Sequence, residues 1–261
     1  MSDNGSLHIE VGSNTDVGLV RANNEDSYCL VPELNLFVVS DGMGGETHGE
    51  LASAMTVETI SAHCLEASSN ASTSFFAEFR PNLSERSNRL VSAVHLANRR
   101  IFDFAVSNPD LRGMGSTVLA AWIEGSRLSL VHVGDSRAYL FRSGALEHLT
   151  TDHSLVAEQV RTGTLTPEQA DSSILQSVLL RALGTREQVE VDANEFMLIS
   201  EDVLLLCTDG LTRMVPDPAI ASTVLNSPRP QDAADRLVEQ AKQRGGEDNV
   251  TVIVLRITER R

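Results

Sequence analysis

STVLAAWIEGSRLSLVHVGDSRAYLF, residues 116–141, decides the fold class. Three apolar runs, Ser116 to Ile123, Arg127 to Val133 and Arg137 to Phe141, lie almost end to end with Gly-containing links between them. Glu124-Gly125-Ser126 and Arg142-Ser143-Gly144 read as hairpin connections. A parallel sheet needs a crossover of a dozen or more residues between strands, so links this short leave antiparallel pairing.

Working outward, further strands are expected at Leu7 to Val11, Leu36 to Val39, Val189 to Ile199, Val203 to Cys207 and Val250 to Ile257. The run at Leu36 is expected to stop in a turn at Ser40-Asp41-Gly42. Ala54, Val57, Ile60 and Cys64 recur at helical spacing and predict a helix over Gly49 to Leu65. The small polar stretch ASSNASTS, residues 67–74, then reads as a surface loop. A second helix is expected from about Phe75, with a break near Pro81, to Ser107, its stripe being Leu90, Val94, Ala97, Ile101 and Ala105. Asn108-Pro109 ends it. Residues 152–188 read as helical but polar, a candidate mobile surface element, with a helix start at Thr166-Pro167-Glu168-Gln169. A last helix, Gln231 to Arg244, closes at Gly245-Gly246. The sum is one α+β domain over residues 1–261, with no internal repeat.

Composition limits what such a domain can do. Against 36 Asp and Glu stand 21 Lys and Arg, a formal charge of −15 over 261 residues. Nucleic-acid binding is largely counterion release by basic side chains, so neither nucleic acid nor an anionic membrane is expected as a partner. No apolar run reaches the roughly 18–20 residues of a membrane helix. MSDNGSLHIE has no positive cluster before an apolar core, so no signal peptide is expected. Three scattered cysteines, Cys29, Cys64 and Cys207, suit reduced thiols in a cytoplasm better than a disulfide frame or a Cys-rich zinc site.

Acids recur at the ends of the apolar runs. Asp41-Gly42, Asp135-Ser136 and Asp209-Gly210 each follow one, Asp248-Asn249 precedes the last, and Glu25-Asp26 sits before a short strand. Any one of these is an ordinary turn, because Asp bonds nearby backbone N–H groups. Together they form a set of carboxylates that strands converging on one rim would crowd, and burying them unpaired is costly. A hard divalent cation resolves the conflict, and oxygen-only donors select Mg²⁺ or Mn²⁺ over zinc. Two ions sharing one carboxylate need about four to six such groups. Gly42 and Gly210 leave room for close backbone approach. Arg21, four residues before Glu25, offers a fixed fork for a phosphoryl group.

At these residues the chain resembles the metal-dependent protein phosphatase family, type 2C, in its bacterial form. The matching stretches are Thr15-Asp16-Val17-Gly18 with Arg21 to Asp26, Asp41-Gly42-Met43-Gly44-Gly45, Gly113 to Thr117, Gly134-Asp135-Ser136-Arg137, Leu149 to Ser154, Arg181-Ala182-Leu183-Gly184, Cys207 to Leu211 and Gly245 to Val252. The resemblance implies two packed antiparallel β-sheets flanked by helices, an α-β-β-α sandwich. It implies two Mn²⁺ or Mg²⁺ ions at one end, with a third bound weakly. Asp41 would bridge the two ions and the Gly42 carbonyl would bind one. Asp209 and Asp248 would hold the first, and Glu25 would serve the second, directly or through water. Asp135 would serve the third, Arg21 would clamp phosphate, and residues 152–180 would form a flap.

The implied reaction is hydrolysis of phosphoserine and phosphothreonine in proteins by a metal-activated hydroxide, opposing a Ser/Thr kinase, in a cytoplasmic monomer. Arg21, Asp41 and Asp209 are the expected catalytic residues. A non-catalytic regulatory binding module of the same fold is the alternative, and a phosphatase of small phosphoesters a further one. Met43 stands where some members carry a His proposed as general acid, which leaves a metal-bound water as the expected source of that proton. Glu46 stands where the bacterial pattern often has His. Arg213 stands where Asp often follows Asp-Gly-Leu-Thr, against a third ion. The overall negative charge adds the expectation that a basic segment beside the phosphosite aids docking.

Overall fold

The computed structural model describes residues 7–44, 48–70, 73–171 and 173–259. Among these residues eleven strands form two sheets, all paired antiparallel. In the first sheet β1 (Leu7–Asp16), β11 (Val250–Glu259), β10 (Val203–Cys207), β7 (Arg137–Arg142) and β8 (Ala145–His148) lie in that order. In the second the order is β2 (Asp26–Val31), β3 (Leu36–Met43), β5 (Val118–Glu124), β6 (Arg127–Val133) and β9 (Asp192–Met197), with β4 (Gly115–Ser116) paired to the end of β3. Both expected hairpins form: Glu124 pairs with Arg127 and Arg142 with Ala145, around positive φ at Gly125, Ser143 and Gly144.

Period-two alternation sorts the side chains into three apolar layers. Phe37, Val39, Leu119, Ala121, Ala138, Leu140, Leu204, Leu206, Ile253 and Leu255 fill the space between the sheets. Their neighbours Leu36, Val38, Val118, Ala120 and Trp122 face outward onto α1 (Gly49–Ser69) and α2 (Glu85–Ser107). On the far side Tyr139, Val203, Leu205, Val252 and Val254 pack with α6 (Asp217–Leu225) and α7 (Pro230–Gln243). The central strands are covered on both faces, so they read as unbroken apolar runs although they are antiparallel. The α-β-β-α sandwich is as expected.

Four local readings change. β3 does not turn at Ser40-Asp41-Gly42; it runs on to Met43, because Asp41 pairs with Asp26 while Gly42 and Met43 pair with Ser116 and Gly115. α1 continues through Ala67, Ser68 and Ser69 of the presumed loop, and Ala71 and Ser72 lie outside the described residues. α2 starts at Glu85, capped by Ser84, whose Oγ accepts from Ser87 N. Residues 75–84 fold back along it instead, with Asn88 Oδ1 accepting from Arg80 N. Among the described residues between 152 and 188 only α3 (Leu155–Arg161) and α4 (Pro167–Asp171) are α-helical. The Thr166 start is real: Thr166 N donates to Gln169 Oε1, and Gln169 N to Thr166 Oγ1. The feet of this segment are stapled together, with Leu155 N donating to Val178 O at 2.8 Å and Leu180 N to His153 O at 2.8 Å. No helix among the described residues is long and apolar enough to cross a membrane.

Strand direction decides where the acids meet. β2 and β11 begin, and β3 and β10 end, at the same edge of the sandwich, and the chain crosses between the sheets there at Gly134-Asp135-Ser136.

Candidate metal centre

Each acid is set by its backbone. Asp41 sits near the end of β3, where its N–H donates to Thr117 Oγ1 at 2.9 Å and its carbonyl accepts from Thr117 N at 2.8 Å. Gly42 follows because nothing larger fits: a Cβ there would lie 2.0 Å from Gly49 O and 2.6 Å from Glu25 O. Asp209 opens α5 (Asp209–Thr212) directly after β10. A Cβ on Gly210 would lie 2.0 Å from Asn249 O, so α5 presses against the loop that carries Asp248. Glu25 is held by its N–H, which donates to Asn249 Oδ1 at 2.7 Å, and its carboxylate rests on the Gly49 N–H at the start of α1.

These side chains line one cavity of about 780 Å³. Arg21, Glu25, Asp41, Gly42, Asp135, Asp209 and Asp248 all border it, with Ser177 and Leu179 of the 152–180 segment on its rim. Every residue singled out in the sequence for ligation or phosphate binding is therefore at one place. Glu46 and Gly45 lie outside the described residues.

The electrostatics are those of a set of like charges without enough counter-charge. Burial raises the Asp41 carboxyl well above the usual range, and the charges of Asp26, Asp209, Asp135 and Asp248 push it further. Burial, then the Asp209 charge, carries Asp135 up to about 8. Asp26 rises to about 7 through burial, although its Oδ2 accepts from Thr208 Oγ1 at 2.8 Å and Thr251 Oγ1 at 2.6 Å. Asp209 is raised by burial against the pull of Arg213. Glu25 is raised, again chiefly by burial. Asp26 Oδ1 and Asp209 Oδ1 are buried with no hydrogen-bond partner. Orphaned carboxylate oxygens in an all-oxygen set are what a hard cation would satisfy.

Two arginines reach into the centre. Arg21, half-exposed, donates from Nη2 to Asp248 Oδ2 at 2.9 Å, so the expected phosphate clamp is anchored on an acid of the same site. Arg213 pairs with Asp209. Among the described residues, the one group of three ligand-type side chains whose donor atoms close to within 4.8 Å is elsewhere: His132, His153 and Asp192. There Arg181 Nη1 already donates to Asp192 Oδ1 at 2.8 Å and lies 3.1 Å from His153 Nε2, so a guanidinium fills the place a metal would need.

Sequence reasoning missed the supports. Asn249 joins three segments, accepting from Glu25 N and donating from Nδ2 to Val17 O and Asn23 O, each at 2.9 Å. Thr117, Thr208 and Thr251 fix Asp41 and Asp26. The sequence signals for Asn249 were its place between Asp248 and the start of an apolar strand and its inclusion in the matching stretch Gly245 to Val252.

The protein phosphatase 2C family model matches residues 20–244. The chain is 37% identical over 252 residues to serine/threonine phosphatase stp of Listeria welshimeri, an alignment covering 95% of each. It superposes on the serine/threonine phosphatase PstP/Ppp of Mycobacterium tuberculosis with a TM-score of 0.84 and 37% identity, covering 97% of this chain and 99% of that one. A structure of the PstP catalytic domain in complex with two manganese ions matches with a TM-score of 0.82 and 36% identity, over 97% of this chain and all of the other.

Proposed function

Since the chain belongs to the protein phosphatase 2C family, we propose that it removes phosphate from phosphoserine and phosphothreonine in proteins with two divalent cations, Mn²⁺ or Mg²⁺, held by the acids of the rim. The observation that carries this is the convergence of Glu25, Asp41, Asp209 and Asp248 with Arg21 on one cavity, with a buried Asp209 oxygen left unpartnered.

Asp41 would contact both ions, Asp209 and Asp248 would hold one, and Glu25 with the Gly42 carbonyl the other. When bound, such a pair lowers the pKa of a water toward neutrality and offsets charge on the phosphoryl oxygens. The chain's own residues do the rest. Arg21 gives two parallel N–H donors to equatorial phosphoryl oxygens, while its contact with Asp248 keeps the guanidinium at the cavity mouth. The Thr117 and Asn249 hydrogen bonds fix Asp41 and Glu25, so little reorganisation is needed as charge develops. Met43 offers no proton, so the leaving serine or threonine oxygen, expelled as alkoxide, would take its proton from a water at the metal centre. The complete acid set disfavours the non-catalytic binding module, which would bind Mn²⁺ poorly.

We further place the whole chain in one domain with residues 152–180 as a flap. It would act as a cytoplasmic monomer, opposite a Ser/Thr kinase in a bacterial cell. The deciding experiment is phosphate release from a phosphothreonine peptide. It is expected to need Mn²⁺ or Mg²⁺ and to vanish with EDTA; full turnover in EDTA overturns the reading.

A further inference from the structure

Arg213 follows α5 at the position four residues after Asp209, so the two side chains share one helical face. Its guanidinium pairs through Nη2 with Asp209 Oδ2, and the same nitrogen lies 3.9 Å from Asp135 Oδ2. Nη1 lies 3.8 Å from Asp248 Oδ2. These carboxylates come from separate parts of the chain: the β6–β7 crossing, the start of α5 and the loop before β11. The side chain is only 25% exposed. It stands in the wall between the catalytic cavity and a neighbouring space of about 710 Å³ under α3 and α4, and Asp135 and Asp209 line both.

We infer that Arg213 is a built-in counter-cation of this centre, neutralising Asp135 and Asp209 and limiting the centre to two divalent ions. The assignment rests on the two-metal reading above. Arginine stays charged at every working pH, so the positive charge beside Asp135 is permanent. A divalent cation bound to Asp135 would meet that charge within a few ångströms, in a site partly closed from water where screening is weak. Asp209 divides its oxygens accordingly. Oδ2 goes to the guanidinium, and Oδ1 is the buried oxygen left without a partner, free for an ion.

The test is Mn²⁺ binding to the full chain, counted by calorimetry and by mass spectrometry under native conditions, without any activity measurement. The wild type is expected to take up two equivalents. Arg213→Asp is expected to take up a third, weaker one, and Arg213→Lys to stay at two. Melting with EDTA present supplies the second readout. Arg213→Gln is expected to melt below the wild type without metal, and the gap is expected to narrow at saturating Mn²⁺. Three equivalents on the wild type overturn the inference whatever the variants do. So do two equivalents on both wild type and Arg213→Asp together with unchanged metal-free melting. A wild type that binds no Mn²⁺ overturns the two-metal reading itself, and the metal-free melting of Arg213→Gln still decides whether Arg213 neutralises the acids.

Discussion

Two clusters of titratable side chains lie within a short stretch of the β6–β7 crossing, and they are built on opposite principles. At the foot of the 152–180 segment, His132, His153, Asp192 and Arg181 form a closed set. His153 Nδ1 accepts from Gly134 N at 3.1 Å, and its Nε2 lies 3.3 Å from Asp192 Oδ2 and 3.1 Å from Arg181 Nη1. His132 Nε2 donates to Thr151 O at 2.9 Å, and the two rings stack at 4.7 Å between centroids. Arg181 supplies the balancing charge to Asp192 and to Glu190. At the rim, five carboxylates and the buried Asp26 beside them share two arginines, and one oxygen each of Asp26 and Asp209 has no partner. The tighter cluster is the one that needs nothing further. Proximity of ligand-type residues is therefore a poor guide to a metal site, and unsatisfied like charge around a cavity is a better one.

The largest predicted effect tests that contrast directly. Asp209→Asn and Asp41→Asn are each expected to lower kcat for phosphopeptide hydrolysis by about three orders of magnitude, the scale of several kcal/mol of lost transition-state stabilisation. The same Asp41→Asn change is expected to raise the melting temperature of the metal-free protein, because it removes a buried carboxyl that must either carry a charge its neighbours repel or take up a proton on folding. Asp192→Asn, in the closed cluster, is expected to do the reverse: turnover within about twofold, with melting lowered by a few degrees, the response to about 1–2 kcal/mol in a chain of this size. If Asp192→Asn proves the more damaging to kcat, the distinction between the clusters fails.

Metal removal is the next test in size. An ion that binds only the folded state at a hundred times its Kd adds about 2.7 kcal/mol, or roughly 5–10 °C in Tm here. Melting curves with EDTA and with excess Mn²⁺ are expected to differ by that amount in the wild type and in Asp192→Asn, and hardly at all in Asp209→Asn. Arg21→Ala comes after this. A charge-assisted hydrogen bond to phosphate is worth about 1.5–3 kcal/mol, so kcat/KM should drop about 10- to 150-fold with the number of bound Mn²⁺ unchanged. A change in that number would mean that the Arg21–Asp248 contact serves the metal and not the phosphate.

Much of this was legible in the chain because the signals were redundant. The links within residues 116–141 allowed only antiparallel strands, and of the acids singled out by their place beside an apolar run Glu25, Asp41, Asp135, Asp209 and Asp248 lie at the cavity, while Asp26 is buried beside Asp41. What failed were positions where local chemistry competes with tertiary pairing. Asp41-Gly42 is a common turn pair, yet β2 and β4 supply hydrogen-bond partners that carry β3 past it. Phe75, Phe76 and Phe79 imitate a helical stripe but lie along α2, with Phe75 and Phe79 edge to face at 5.7 Å. Asn249, Thr117 and Thr208 act through hydrogen bonds to residues far along the chain, and no periodicity encodes those. Arg213 was visible as a departure from a pattern; its contact with Asp209 was not.

The smallest predicted effect concerns pH and belongs to the closed cluster. Burial holds the pKa values of His132 and His153 below the ordinary imidazole range, and the charge of Arg181 adds to this while Asp192 opposes it. For His132 the charge of Asp152 and the bond to Thr151 O also oppose the lowering. Below the unfolded pKa of about 6.5, the unfolded chain takes up protons that the folded chain refuses, so stability falls as the medium becomes acid. Above that pH both states are neutral and these two groups contribute no slope. The slope is limited to about 1.4 kcal/mol per pH unit for each proton. His132→Asn is expected to be less stable at pH 7.5, through the lost stacking, and to lose less on going to pH 5.5 than the wild type. Denaturant melts at the two pH values measure both quantities. A steeper acid loss in the variant would mean that His132 is charged in the folded protein and paired with Asp192, which would make the closed cluster an ion pair and not a neutral stack.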